Sequence, residues 1–439
     1  MAKWFDWPRS EPDYRWPARL VSPGMAPLRW LLAAVFHVSH AIGRLASLIL
    51  PARHHQRVLV IRTDGLGDAL LFEPALESLA RTVSPRVVHL WAPKLTCELL
   101  ARCPTIARLM VIPRGFKQGN LLYFKSIYWR VKLGFQLGRW TFERVIYPAE
   151  SPEPLGNWLF ASARTSQRWL NYGDTINQFE HQRQRMHEIA TRIIENRPGN
   201  AHELLRNEYL AAQWTGQARL RLRKPKLYLS EQILARAEAR MEAWQAAARK
   251  ARAEEIVGVV PCGSMPVNTY PIDRWIVALK RLWREHRAMP LLLGGPADLM
   301  PIHQLEKALL ASDVPSLRLD RPLPILEIAA VIGQLEALLS VDTGLAHLAV
   351  AQHVPTVVLV GGGNPRRFFP WPETPHHQVL NVPMPCEGCN NRCTLPQPQC
   401  ITDIDPVQIV LAWARLRNRP VPVEVYVAPA RPGKLQATG

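Results

Sequence analysis

Two stretches of the 439-residue chain put reactive side chains beside turns suited to anions. In the first, Val58-Leu-Val-Ile-Arg-Thr-Asp-Gly-Leu-Gly-Asp, a β-branched strand runs into a loop carrying Gly65 and Gly67. Those glycines let the backbone approach a ligand closely. Asp68 stands where a helix should begin, so its carboxylate can cap that helix, favour its dipole or act as a general base. Leu70 occupies the place of the third glycine of a dinucleotide fingerprint, which argues against a nicotinamide enzyme. In the second stretch, the apolar run Leu338 to Val341 reads as a buried parallel strand. It ends in Asp342, Thr343 and Gly344, and a helix follows with Leu345, Leu348 and Ala349 on one face. A strand, a small-residue turn and a helix N-terminus form an anion site from free amides and a positive dipole end. Asp342 and His347 add polar groups within reach of whatever carries the anion. The plainer alternative is an ordinary turn with Asp342 as the helix cap and His347 as a structural histidine.

A third block, Val259-Val-Pro-Cys-Gly-Ser-Met-Pro-Val-Asn-Thr-Tyr-Pro-Ile-Asp-Arg-Trp, lies between them. Taken in order, the three resemble glycosyltransferase family 9, the ADP-heptose:lipopolysaccharide heptosyltransferases. The first matches the family's strand-loop-GD opening, the third its PGAS…KxWP…RW stretch, and the second its DTGxxHLAA motif. The resemblance spans about residues 57–415 and is weak over 115–225. It implies an α/β protein of GT-B architecture, with two Rossmann-like parallel-sheet domains facing across a cleft. The implied reaction is an inverting transfer of a heptose or related sugar from an ADP-sugar to a lipopolysaccharide core or related glycan. Asp68 matches the catalytic aspartate. The leaving phosphates would rest on the amides of Thr343, Gly344 and Leu345, with His347 donating to a phosphate oxygen and Asp342 meeting the donor sugar. Such a mechanism requires no cofactor.

Relatives place a lysine where this chain has Asn268, followed by Thr269-Tyr270-Pro271. Asparagine can hydrogen-bond a phosphate but brings no charge. Ser264, Thr269 and Arg274, or Arg62 and Arg366, are available to compensate, although Arg274 suits the helix face of Trp275. Asp298 follows Gly294-Gly295-Pro296-Ala297 and has two readings, a ribose contact or a helix N-cap. Two other functions stay open: a protein acceptor of the autotransporter type, or a nucleotide-sugar-binding protein impaired in turnover by the missing lysine.

The elements that must position these groups alternate along the chain. Strands are expected at 58–62, 86–92, 108–112, 144–149, 256–261, 290–294, 337–341 and 356–361. Helices are expected near 67–81, 122–138, 186–196, 203–214, 231–252, 272–286, 298–311, 324–332 and 344–352. Alternation means parallel sheets with crossovers. The length suits two cores. The expected organisation is an N-terminal extension, 1–56; an acceptor-side domain, 57–225; a connector helix, 226–253; a nucleotide-sugar domain, 254–418; and a loose tail, 419–439.

Lys and Arg total 54 against 36 Asp and Glu, a formal charge of +18, so the surface attracts polyanions. No nucleic-acid-binding module accompanies that charge, which leaves an anionic lipid or glycolipid as the partner. Residues 28–50 are strongly apolar but interrupted by Arg29, His37, His40 and Arg44. They read as an interfacial helix or as one packed on the first domain, rather than as a spanning segment. The expected location is cytoplasmic, at the inner face of a bacterial inner membrane. Cys386, Cys389, Cys393 and Cys400 cluster in a Gly-, Asn- and Pro-rich loop. They read either as a structural tetrathiolate site for zinc or iron, or as free thiols.

Overall fold

A computed structural model of the protein describes residues 26–49, 57–83, 88–113, 122–195, 201–218, 220–263, 265–319, 321–364 and 366–418. Residues 1–25, 50–56 and the tail from 419 lie outside it, as does Ser264.

Two six-stranded parallel sheets form the frame. The first comprises β1 (Val58–Ile61), β2 (Val88–Pro93), β3 (Arg108–Ile112), β4 (Arg144–Tyr147), β5 (Gln167–Asn171) and β6 (Arg192–Ile194), in the order β3-β2-β1-β4-β5-β6. The second comprises β7 (Glu255–Val260), β8 (Ala288–Leu292), β9 (Leu317–Arg318), β10 (Ala337–Val341), β11 (Thr356–Leu359) and β12 (His377–Leu380), in the order β12-β11-β10-β7-β8-β9. Each sheet starts in its middle and grows outward in both directions. The strand order therefore reverses between β1 and β4 in one sheet and between β7 and β10 in the other. In open parallel sheets the crevice at that reversal, beyond the carboxyl ends of the strands, is where ligands bind. The loops after β1 and β10 carry the two motifs that opened the sequence reading.

The central strands are continuous apolar runs because helices cover both faces. Every residue of β1, β2, β7, β8, β10 and β11 is buried. A shared apolar core joins the sheets' helices: Leu70, Leu71 and Leu76 of the first lobe pack with Ile325, Ala329, Ala346 and Leu348 of the second. The connector staples both lobes. Arg223 donates to buried Glu73 at 2.7 Å, the Tyr228 hydroxyl donates to the same carboxylate at 2.6 Å, and Lys224 reaches the carbonyl of Pro372 at 3.3 Å.

One expected element is corrected. A helix over 186–196 is replaced by a helix at Glu180–Ile189 and strand β6. Sequence reasoning also left out β5, β9 and β12. β5 carries little apolar signal because it is built on a cation–aromatic stack, with Arg144 3.8 Å and Arg192 4.7 Å from the Trp169 ring.

Candidate active site

Asp68 lies in the first turn of the helix Leu66–Val83, after β1. Its Oδ2 accepts from the Gly65 amide at 3.3 Å, which orients the carboxylate over its own loop. Asp342 follows β10, and the helix Gly344–Ala351 begins two residues later. Thr343 is the N-cap residue, and no side chain caps the helix, so Asp342 is not spent there. The first-turn amides have no partner within the helix.

The two motifs meet across the lobes. A Cβ on Gly67 would sit 2.6 Å from His347 Cδ2, and one on Gly344 would sit 2.8 Å from the Leu66 side chain. Both positions require glycine because the loop after β1 rests directly on the helix after β10. Like-charge proximity follows. Burial pushes the Asp342 carboxyl up to about 7, and Asp68 adds to that shift. Asp68 is likewise raised to about 7, by burial first and then by Asp64 and Glu203, while Arg367 and Arg62 oppose the rise.

His347 is buried, with its ring stacked on Phe369 at a centroid separation of 4.3 Å. The indole N–H of Trp371 donates to His347 Nδ1 at 3.0 Å. An indole nitrogen only donates, so Nδ1 must be the acceptor and the imidazole proton sits on Nε2. Burial, with His202 and His377 nearby, lowers the histidine to about 3, so it stays neutral. Nε2–H therefore points to the side of the crevice where Asp342 Oδ1 lies 4.0 Å away, beyond hydrogen-bond reach.

The other expected donor residues lie around the ends of β7 and β8. Asn268 closes a short 3-10 turn, Pro266–Asn268, and faces Gly361. The hydroxyl of Thr269 turns back to the Met265 carbonyl at 3.5 Å. Asp298 occupies an N-cap position, yet its carboxylate accepts from the Gly295 amide at 2.8 Å rather than from its helix. Arg274 donates to the Ile404 carbonyl, a structural role.

Of the arginines expected to compensate, Arg62 acts on Asp68. Arg62 is 2% exposed and held by Asp64 at 2.6 Å, and Arg366 is exposed. Its neighbour Arg367 turns inward and pairs with Glu203 at 3.1 Å, where Asp68 and Glu150 also act on its guanidinium. Glu203 and Arg367 bind across the lobes a second time, amide to carbonyl, at 2.8 Å. Sequence reasoning missed Arg367, Glu203 and Trp371. The one available signal was the run Arg366-Arg-Phe-Phe-Pro-Trp, rich in arginine and aromatics yet lying in a loop after a buried strand.

Cys386, Cys389, Cys393 and Cys400 line one small cavity together with Asn268 and Gly361. Cys386 is exposed, and Cys393 turns its thiol to the Leu395 carbonyl. Among the described residues, no three His, Cys, Asp or Glu side chains are grouped so that they could hold a metal ion.

Two six-stranded parallel-sheet lobes, with the start of the helix after β1 packed against the helix after β10, form a GT-B architecture. Residues 177–396, half of the chain, match the model of glycosyltransferase family 9 (heptosyltransferase), and the chain belongs to that family. Among solved structures, the family 9 glycosyltransferase of Veillonella parvula aligns with a TM-score of 0.64 at 15% identity, covering 84% of this chain and 98% of that one. The ADP-heptose lipopolysaccharide heptosyltransferase II of E. coli aligns at 0.59 and 19% identity, over 82% and 98% of the two chains. The E. coli heptosyltransferase WaaC with ADP gives 0.52 and 16% identity, over 82% and 99%. No curated protein matches the chain by sequence.

Proposed function

We propose that the chain transfers a heptose or closely related sugar, with inversion, from an ADP-sugar to a lipopolysaccharide core or related glycan at a membrane surface. The observation that carries this reading is the direct contact of the helix turn holding Asp68 with the helix following Asp342. In this reading a base stands on one wall and free amides on the other. The E. coli relatives named for ADP-heptose or solved with ADP support the choice of donor.

In this mechanism the acceptor hydroxyl attacks the anomeric carbon, its proton passes to Asp68, and the bond to the pyrophosphate breaks. ADP leaves with the electron pair. A carboxylate held at about 7 is a stronger base than one in water and is still partly ionised at neutral pH. The amides of Gly344 and Leu345, with Thr343 beside them, and the Nε2–H of His347 would stabilise charge growing on the leaving phosphate. Asp342 would take a sugar hydroxyl. Asn268 and Thr269 would form the outer wall of the donor site, and Asp298 would approach the ribose. Arg367 would offset the absent lysine charge. The four cysteines line one cavity without being grouped for a metal, so holding zinc or iron would require them to close together, and an ion there would clip the loop without entering the transfer.

Transfer assayed with ADP-heptose against UDP- and GDP-sugars tests the reading. Product from ADP-heptose alone supports it. Tight ADP binding with no transfer from any donor would instead favour a binding protein that lacks turnover. Transfer to a peptide but not to a glycan would move the acceptor to protein.

A further inference from the structure

The helix Ala26–Ile49 precedes β1 and lies along the helix Leu122–Arg139 with almost no space between backbones. A Cβ on Gly43 would sit 2.2 Å from the Phe135 carbonyl oxygen, and one on Gly138 would sit 2.0 Å from that of His40. Ser39 adds a hydrogen bond to the Val131 carbonyl at 2.7 Å. Phe36, 1% exposed, reaches the sheet-side core of Leu59 and Leu133. The inner face is therefore fully used.

The outer face is apolar. Leu31, Val38, Ile42, Leu45, Leu48 and Ile49 recur at helical spacing and are 53–80% exposed. A helix facing only water carries polar residues there. Charge on the surroundings has one sign. No Asp or Glu occurs between Asp13 and Asp64, or between Glu98 and Glu143, so neither helix carries an acid. Arg44 is exposed on the apolar side and lies near Arg164. On the partner helix, Lys132 stands over Trp129 at 4.9 Å, beside exposed Tyr128. Among the described residues no helix is long and apolar enough to cross a membrane.

We infer that the outward face of Ala26–Ile49 lays the N-terminal lobe on an anionic lipid bilayer, with the apolar stripe among the acyl chains and the cations at the headgroups. A second copy of the chain fits this surface worse, because a two-fold contact would bring Arg44 and its basic neighbours together with no acid to pair them. The inference rests on the transferase reading only for its consequence: the docked lobe carries Asp68, so the base is held beside an acceptor anchored in the same bilayer.

Vesicle flotation of the full chain, without donor, tests the surface apart from the chemistry. Vesicles of equal phosphatidylglycerol and phosphatidylcholine should bind at least about tenfold more tightly than phosphatidylcholine alone, given the basic residues involved. Changing the exposed positions together, Val38→Ser, Ile42→Ser, Leu45→Ser and Leu48→Ser, should abolish that binding while circular dichroism is unchanged. The pair Arg44→Gln and Lys132→Gln should lose the preference for the anionic lipid and keep the weak residual binding. Absence of binding by the wild type, or equal binding by the serine variant, overturns the inference. A drop in molar mass on serine substitution, with vesicle binding intact, would make the face a self-interface instead.

Discussion

At the scale of single residues, two raised carboxyls and one neutral histidine share a crevice. Asp342 ionises near 7 in the folded chain, far above its unfolded value, so its contribution to stability is full below the usual carboxylate range. That contribution is lost as pH rises through about 7. Asp342→Asn should therefore raise Tm at pH 8, by about 2–4 °C for each kcal/mol relieved, and leave it little changed at acid pH. Thermal melts at the two pH values check the sign. The same burial gives Asp68 a kinetic signature: transfer should climb with pH through about 7 and then level off, measured as kcat/KM. Trp371→Phe keeps an aromatic ring but removes the N–H that fixes the His347 tautomer. A fall in kcat of about tenfold, with donor affinity nearly unchanged, is expected. The sequence exposed Asp68, Asp342 and His347 because short motifs carry them. Arg367 and Glu203 were invisible because their pairing spans two lobes and 164 positions.

Elements read well from sequence where burial is two-sided. β1, β2 and β10 show as short apolar runs, and Ile272–His286 shows as a helix because its apolar positions recur along one face. Edge strands other than β3 do not. β6 and β9 are three and two residues long, and β12 is mostly half-exposed, so no alternation accumulates. The connector is the element with the largest predicted energetic role. Glu73 is fully buried and holds Arg223, Tyr228 and the Lys226 amide. Glu73→Ala removes the acceptor of the Tyr228 hydroxyl and the Lys226 amide and leaves Arg223 held by Glu77 alone among carboxylates, and should cost about 1–3 kcal/mol, read by denaturant midpoint. The cysteine loop belongs to this scale too. It lies against Gly363 and crosses to the first lobe, where Arg392 donates to the Ile176 carbonyl at 3.3 Å. Metal analysis of purified protein decides its state: one zinc or iron per chain supports a clip, and a substoichiometric content with no chelator exposure removes it.

Across the whole molecule, two sheets with the same strand order bring their reversal points to one crevice, and the shared core holds the lobes together. His347 is only 3% exposed beneath Gly67, so the proposed donor would have to displace that segment of the first lobe to reach it. The central claim is that Asp68 removes the acceptor proton while the opposite lobe holds the pyrophosphate. The most direct measurement compares Asp68→Asn with the wild type in both sugar transfer and ADP affinity. The account predicts a fall in kcat of about 10²–10⁴-fold with ADP affinity kept. Undiminished transfer by the asparagine variant, in an enzyme that turns over ADP-heptose, would contradict it.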